Sequence, residues 1–244
     1  AEYALECSIT KVFGTESLDF VVDEGVQIHG GCGFIQEYEI ERMYRDSRIN
    51  RIFEGTNEIN RLLIPGTLVR KAMKGELPLL QAAQKLQEEL FTMTPPNFEG
   101  KSPLEVEEHL LKMAKKVFLM VAGTAVQKYQ MKLEEQQEIL ANVADLIMEV
   151  FAMESALLRT LKSFQSKGEQ AAKTKIDMTK VYINDAFTRI EVIARETLAA
   201  IEEGDILRTQ LSVLKKLTRS QPINTIAIKR SIAERIIKEE KYII

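Results

Sequence analysis

The sequence predicts an all-α fold in which a helical region is followed by an antiparallel helical bundle. Glycine and proline number only 12 and 6 among 244 residues, so long uninterrupted helices are expected. Apolar residues recur at helical spacing along most of the chain, and no stretch alternates as a half-buried strand does. Connections between the periodic segments are short after residue 101, which is typical of an antiparallel bundle.

The amino-acid composition limits the classes of protein to which this chain can belong. With 45% hydrophobic and 28% charged residues, the chain is an ordinary globular protein with enough length for one large or two modest domains. A net charge of −3 implies no basic face, so nucleic acid is not expected as a partner. Cys7 and Cys32 form neither a metal-ligand spacing nor a disulfide framework, which favours a reducing compartment. No apolar run reaches the roughly 18 residues needed to span a bilayer.

Residues 1–75 form the first predicted region. Its last helix has an apolar face made by Ile59, Leu62 and Leu63, and we expect a kink or a break at Pro65-Gly66. The predicted helices of this region span 2–30, 37–47 and from Thr56 towards Gly75.

A linker over 76–101 and a bundle over 102–244 complete the predicted organisation. The linker contains a short helix at 77–92 and its clearest break at 94–100, which is rich in proline and glycine. Ser102-Pro103-Leu104-Glu105 has the pattern of a capping box, so the first bundle helix is expected to start there. The later bundle helices are predicted at 132–166, 171–203, 205–219 and 224–240.

The segment Arg51–Ile59 places one carboxylate where an irregular stretch turns into a helix. Gly55 permits backbone angles that other residues avoid, and Thr56 is a good helix N-cap. Glu54 therefore precedes a helix N-terminus, with Ile52-Phe53 as apolar neighbours. Partial desolvation makes a carboxylate a stronger base, as removal of a weakly acidic C–H proton requires. These nine residues alone favour the simpler interpretation, in which Glu54 only complements the helix dipole.

A glycine-rich segment follows the first predicted helix and reads Gln27-Ile28-His29-Gly30-Gly31-Cys32-Gly33-Phe34. Glycines at a helix end let another backbone or a bulky ligand approach closely, although they can also form only a C-cap and a turn. The segment is not a dinucleotide-binding fingerprint, because no strand precedes it and a helix ends there instead of beginning.

A charged cluster lies between these two segments. Arg42, Arg45, Asp46, Arg48 and Arg51 could bind a phosphate group, but such clusters are more often structural ion-pair networks. We expect the structural role.

Taken together, these segments resemble the C-terminal signature of the acyl-CoA dehydrogenases. The resemblance covers residues 1–75, which would be the C-terminal part of the family's helical catalytic domain. Residues 102–244 are similar, in architecture and position only, to the added C-terminal helical region of the very-long-chain type. The matching positions are Gln27, Gly30-Gly31-x-Gly33-Phe34, Glu37, Arg42, Arg45-Asp46-x-Arg48-Ile49 and Phe53-Glu54-Gly55-Thr56.

The resemblance implies an FAD-dependent oxidoreductase of fatty acid β-oxidation. In this family a glutamate takes the α proton of a fatty acyl-CoA thioester, and the β hydrogen leaves as hydride to N5 of FAD. Electrons then pass to an electron-transfer flavoprotein. Glu54 corresponds to the family's base, while the redox step belongs to the flavin.

Further site residues follow from the same resemblance. Gly55 corresponds to the contact with the thioester end of the substrate. Thr56 and Glu58 correspond to a segment that contacts FAD, near a helix N-terminus that suits a phosphate or ribose oxygen. A third segment of the family reaches the adenine end of FAD bound by a neighbouring subunit, and it corresponds to Gln27, Gly30 and Gly31. Such a contact implies a homo-oligomer.

The chain begins inside a helical pattern with no initiator methionine and no cap, so we expect it to be part of a longer protein. The family's N-terminal helical domain and middle β domain, which hold most of the flavin and the acyl-CoA pocket, are not represented. We therefore expect no dehydrogenase activity from these 244 residues alone. The expected location is the cytoplasm of a bacterium, or the mitochondrial matrix or inner-membrane surface of a eukaryote.

A second class of function stays open, namely a non-catalytic module for helical assembly or for docking at a membrane surface. The very-long-chain relatives are associated with the membrane surface through the added region, which requires an amphipathic segment with a basic polar face. Residues 223–244 are the best candidate. The alternative is an ordinary bundle helix, which the periodicity favours.

Overall fold

The computed structural model describes residues 2–92, 96, 98, 100 and 102–242, apart from the side chains of residues 80, 87 and 90–92. By its contacts the chain divides into two compact units, one made of 1–77 with 136–144 and the other of 78–135 with 145–244. The regular structure of the described residues is entirely helical, so the predicted all-α class is confirmed. None of the described helices combines the length and apolarity needed to traverse a bilayer.

The first unit is organised around a long helix, α1, which packs against two others. Leu5, Ile9 and Val12 of α1 and Ile64 of α3 are buried together with Val22, so one stripe of each helix faces inwards. The helices are α1 (Ala4–His29), α2 (Glu39–Arg48) and α3 (Asn57–Met73), with 3₁₀ turns at Gly30–Phe34 and Ile49–Arg51.

The glycine-rich turn after α1 ends the helix where the sequence predicts. Gly30 has a φ of 59°, a left-handed conformation that favours glycine. At Gly33 a Cβ would lie 2.6 Å from the Val26 carbonyl oxygen and 2.8 Å from Cβ of His29. Only glycine lets the turn fold back this closely onto the end of α1.

Helix α3 begins as predicted but does not present the predicted face. Ile59 and Leu63 are about half exposed, whereas Asn57, Asn60 and Ile64 are buried. The predicted apolar face is therefore wrong, because the contacts of α3 with α1 are partly polar. The helix continues through Pro65, so no break occurs there.

The second unit is a helical bundle with an apolar core. Its longest helix, α6, reverses at Gly168, where φ is 78° and the conformation is not helical. This break separates 137–167 from 169–201, which confirms the gap predicted between 166 and 171. The helices are α4 (Leu79–Thr92), α5 (Glu105–Tyr129), α6 (Gln137–Ile201), α7 (Gly204–Leu217) and α8 (Thr225–Glu239), with a 3₁₀ segment at Gln130–Glu135. The first eight residues of α6, 137–144, belong to the first unit.

Side-chain pairs across the break show that the two halves of α6 run antiparallel. Thr160 and Thr179 share a buried hydrogen bond of 2.7 Å. Further from the break, the Arg189 guanidinium donates to the Glu149 carboxylate at 2.5 and 3.0 Å. The core of the unit is fully buried and includes Leu104, Val117, Leu146, Met153, Ile183, Ile190, Leu198 and Leu214.

The start of α5 differs from the predicted capping box. The Ser102 hydroxyl accepts from the Leu104 N–H at 3.2 Å, and the Glu105 carboxylate accepts from the Gly100 N–H at 2.8 Å. Helix α5 therefore begins at Glu105, because the serine bonds two residues ahead and not three. The predicted linker break at 94–100 lies largely outside the described residues.

Candidate functional site

The loop before α3 has an unusual backbone at the predicted base. Glu54 has a φ of 57° and Gly55 a φ of 75°, so two successive residues are left-handed. A non-glycine residue in this region is uncommon and persists only where its surroundings determine it. A Cβ at Gly55 would lie 3.1 Å from the Asn60 side-chain nitrogen. Glycine is thus required at this position both by its backbone and by the space available.

The Asn60 side chain holds the loop from the α3 side. Its Nδ2 donates to the carbonyl oxygens of Glu54, Gly55 and Thr56 at 3.4, 2.9 and 3.1 Å. Asn60 is buried, so these bonds are shielded from water. Three successive carbonyl groups consequently point towards the interior of the unit.

Helix α1 holds the same loop from the other side through Lys11. The Lys11 ammonium donates to the Gly55 carbonyl at 2.8 Å and to Oδ1 of Asn57 at 2.6 Å. Asn57 is 0% exposed, and its Nδ2 donates to the Thr15 hydroxyl at 3.0 Å and to the Glu16 carboxylate at 3.1 Å. Every polar atom of this buried amide side chain is therefore hydrogen-bonded.

An ion pair completes the polar contact between α1 and α3. The Arg61 guanidinium binds the Glu16 carboxylate through two hydrogen bonds, of 2.7 and 2.8 Å. Burial alone would raise the pKa of Glu16, but hydrogen bonds from Arg61 and Asn57 and the charges of Arg61 and Arg51 hold it below its usual value. Glu16 is therefore a firmly ionised partner in the contact.

The side chain of Glu54 is exposed. Ile52 and Phe53 are each about half exposed, so they do not shelter the carboxylate within the described residues. The desolvation expected from its neighbours along the chain is therefore absent from this structure. With the loop carbonyls turned inwards, the carboxylate is free to face an incoming group.

Thr56 and Glu58 form the N-terminus of α3 beside Glu54. The Thr56 hydroxyl accepts from the Ile59 N–H at 3.2 Å, which confirms the predicted cap. A hydrogen bond from its own backbone N–H lowers the pKa of Glu58, aided by the Thr56 hydroxyl and by the charges of Arg61 and Arg51. The first turn of α3 therefore carries a fixed negative charge on its exposed side.

The second predicted segment lies elsewhere on α1. Gln27, Gly30 and Gly31 are exposed at the C-terminal end of α1, whereas the Glu54 loop is held near Thr15. Twelve residues of helix separate Thr15 from Gln27, which is about 18 Å at 1.5 Å per residue. The structure thus places Glu54, Gly55, Thr56 and Glu58 together and holds Gln27, Gly30 and Gly31 apart from them.

The arginine cluster is used mainly in ion pairs. Arg51 binds Asp19 at 2.9 Å, Arg45 binds Glu41 at 2.8 Å, and Arg42 binds Glu39 at 3.1 Å. These contacts support the structural role over phosphate binding. Next to them is an open cleft of about 460 Å³, with a largely apolar lining that includes Val26, Phe34, Tyr44, Ile49 and Ile52.

Helix α8 resembles a bundle helix more than a free amphipathic one. Ile228, Ile232 and Ile236 are partly buried along one side. On the bundle, Lys229 binds Asp185 at 2.8 Å and Arg235 donates to the Thr174 hydroxyl. Two of the basic residues expected to face lipid are therefore occupied within the unit. The last two residues of the candidate segment 223–244 lie outside the described part of the chain.

Two family models match most of the sequence. Residues 2–68 match one model of the acyl-CoA dehydrogenase C-terminal domain, and residues 113–216 match a second model with the same description. The chain belongs to the acyl-CoA dehydrogenase family.

Individual relatives agree along nearly the whole chain. A probable acyl-CoA dehydrogenase of Bacillus subtilis is 57% identical over 99% of this chain and 41% of its own length. The very long-chain specific acyl-CoA dehydrogenase of rat mitochondria is 28% identical over 90% of this chain and 36% of its own length. The crystal structure of an acyl-CoA dehydrogenase complexed with FAD from Bacillus anthracis is similar with a TM-score of 0.97 and 60% identity, over 100% of this chain and 41% of that one. The chain thus spans about two fifths of the length of these relatives.

Sequence reasoning missed the residues that support the loop in this member of the acyl-CoA dehydrogenase family. Lys11, Glu16, Asn57 and Asn60 are placed in no role by the sequence alone. One available signal was the pair of asparagines on the first turns of α3, since asparagine is a mediocre helix former that needs a reason to be there. The partners of Asn57 on α1 lie more than 40 positions away, and no local pattern identifies them.

Proposed function

We propose that this chain supplies the catalytic base, Glu54, of an FAD-dependent acyl-CoA dehydrogenase that acts on fatty acyl-CoA. The observation that carries the proposal is an exposed carboxylate held on a left-handed backbone immediately before the N-terminus of α3. The membership of the acyl-CoA dehydrogenase family supports it. Some branches of the family carry the base elsewhere, and Glu54 corresponds to the base of those that carry it in the Glu-Gly-Thr position.

The role of Glu54 is to take the α proton of the substrate. A thioester carbonyl acidifies that carbon, and a carboxylate within hydrogen-bond reach of the proton is a competent general base. Gly55 is proposed to contact the thioester end, since it is exposed next to Glu54. Bound FAD would accept the β hydrogen as hydride and so supply the redox chemistry.

The N-terminus of α3 is proposed to hold part of FAD through Thr56 and Glu58. Thr56 caps the Ile59 N–H, and the exposed Glu58 carboxylate stays ionised. An ionised carboxylate accepts hydrogen bonds from hydroxyl groups and repels phosphate. The N-terminus of α3 therefore fits a ribose or ribityl hydroxyl of FAD better than it fits a phosphate.

Gln27, Gly30 and Gly31 are proposed to contact the adenine end of FAD bound by a neighbouring subunit of a homo-oligomer. A Cβ built at Gly30 or at Gly31 meets no atom within 4 Å, so the surface there is open.

The wider setting of the reaction follows from the family. We propose that electrons leave through an electron-transfer flavoprotein and that a bacterial form acts in the cytoplasm. Because the relatives are more than twice as long, we also expect the 244 residues by themselves to show no turnover of acyl-CoA.

The test is a Glu54→Gln substitution in the full-length protein. Exchange of the substrate α proton with deuterated water should fall by at least about 10²-fold, the lower end of what a general base contributes. FAD content should be unchanged, as judged by flavin absorbance. Glu76→Gln, at an exposed position after α3 and outside the signature, is the matched control and should exchange normally. Exchange that survives in Glu54→Gln would show that the base lies elsewhere.

A further inference from the structure

We infer that Lys11 of α1 is a positioning residue for Glu54, because its ammonium fixes the inner side of the loop that carries the base. The inference rests on the proposed role of Glu54 and adds to it a residue 43 positions earlier in the chain. It assigns to Lys11 no contact with substrate or flavin.

Lys11 forms hydrogen bonds to two groups at the start of α3. Its Nζ donates to the Gly55 carbonyl oxygen at 2.8 Å and to Oδ1 of Asn57 at 2.6 Å. One ammonium therefore bridges the loop and the first residue of α3. Both bonds are charge-assisted, which makes them shorter and stronger than neutral ones.

The Gly55 carbonyl oxygen accepts a second hydrogen bond in addition to the one from Lys11. The same oxygen also accepts from Nδ2 of Asn60 at 2.9 Å, so both of its lone pairs are used by donors on two different helices. A rotation of the Gly55–Thr56 peptide would break both bonds at once. The carbonyl therefore acts as a fixed point immediately after Glu54.

The two bonds to the Gly55 carbonyl maintain the backbone conformation of Glu54. Glu54 is left-handed although it is not glycine, and such a residue relaxes unless its surroundings prevent it. Without Lys11, Asn60 alone would hold the loop, and its bond to the Glu54 carbonyl is long at 3.4 Å. The Glu54 carboxylate would then sample positions away from the substrate α carbon.

Two neighbouring ion pairs make a different kind of contact. Arg61 with Glu16 and Arg51 with Asp19 join side chain to side chain across the helices. These contacts tie elements together, whereas the Lys11 contact is made to the backbone of the loop itself. The geometry thus separates residues that hold the helices from one that orients the base.

The experiment replaces Lys11 with methionine in the full-length flavoprotein and measures steady-state turnover of acyl-CoA with an artificial electron acceptor. Methionine keeps much of the side-chain length and removes the donor. We expect kcat to fall by roughly 10- to 100-fold, the cost of misplacing a reactive group by about 1 Å. FAD content should stay within about twofold of the unaltered enzyme, since Lys11 bonds to neither Thr56 nor Glu58. Lys11→Gln, whose amide is too short to reach the Gly55 carbonyl, is the second variant should methionine prevent folding.

Two comparisons make the result specific. Lys11→Arg restores charged donors and should recover kcat to within about threefold. Lys74→Met removes an exposed lysine after α3 and should leave kcat unchanged. A kcat for Lys11→Met near that of the unaltered enzyme overturns the inference, as does a loss that is accompanied by loss of FAD or is not relieved by arginine. If Glu54→Gln keeps α-proton exchange, the proposed function itself fails; if Glu54→Gln is inactive and Lys11→Met is not, only the positioning role fails.

Discussion

The helix contacts of the two units differ in composition: the first unit adds a buried polar network to a short apolar stripe, and the second unit is mainly apolar. In the second unit Leu146, Ile190 and Leu198 are 0% exposed and form part of one apolar core. In the first unit the fully buried Asn57 is held by hydrogen bonds, while Ile28 and Phe34 are 82% and 77% exposed. Apolar burial brings groups together without regard to direction, whereas hydrogen bonds also fix orientation. The unit that carries Glu54 is the one in which direction matters.

The largest effect is expected where the apolar core is opened. Ile190→Ala removes a fully buried side chain between packed helices and should lower the free energy of unfolding of the second unit by about 3 kcal/mol. Amide hydrogen exchange of peptides from α6 in the full-length protein measures it. Val192→Ala, at a position 60% exposed, should change it by less than about 0.5 kcal/mol. Equal effects of the two substitutions would contradict an apolar core at Ile190.

A smaller effect is expected when the polar contact of the first unit is cut. Asn57→Ala leaves the Lys11 ammonium and the Glu16 carboxylate each short of one partner, so local opening of α3 should become easier by about 2 kcal/mol. Exchange of the amides of residues 57–64 reports it. Gln36→Ala, on an exposed turn, is the control and should be neutral. If Asn57→Ala is also neutral, hydrogen bonding does not order this unit.

The smallest effect is a difference in pH dependence between the units. The folded pKa of Glu16 is lowered, so its contribution is present above the usual glutamate pKa near 4.5 and is lost as the pH falls through the folded value. In the second unit burial raises the pKa of Glu107, an effect only partly offset by its own backbone N–H, by Lys180 and by Asn184. Glu107 therefore favours folding in acid and disfavours it as the pH rises through the folded value.

Charge-neutral variants of Glu16 and Glu107 distinguish the two opposite pH dependences of folding stability. At pH 7 Glu16→Gln should destabilise the first unit by about 1 kcal/mol or less, because the Arg61 pair is partly exposed. Glu107→Gln should instead stabilise the second unit by a comparable amount. Both differences should shrink towards zero in acid, measured by exchange at a series of pH values. Effects of the same sign in the two units would contradict the assignment.

Much of the fold was predictable because its signals are local. The end of α1 at Gly30, the Thr56 and Asn224 caps and the break at Gly168 depend on residues within a few positions of each other. The start of α5 was misplaced because Ser102 can bond to either of two nearby N–H groups. Local chemistry placed most of these helix ends to within about two residues, but α6 begins at Gln137, five residues after the predicted start at 132.

The support of the candidate site was not predictable, because it depends on pairs that are distant in sequence. Ile59 and Leu63 suggested an apolar face for α3, yet Asn57 and Asn60 are the buried side chains, and Asn57 is bonded to α1. Whether a polar residue is buried depends on a partner for its hydrogen bonds, and Lys11 becomes that partner only after the chain has folded. The position of Glu54 could be predicted from its motif, but the bonds that set its backbone could not.

The reversal at Gly168 also determines where the chain tolerates changes in length. One residue inserted between Thr160 and Gly168 would turn the preceding segment by about 100° and shift it by about 1.5 Å, moving Thr160 away from Thr179. Only additions of whole helical turns, matched on both arms, would keep that pair in register. An insertion at the exposed tip itself would leave both arms in place, so this is where a tag or a new loop could be added without disturbing the bundle.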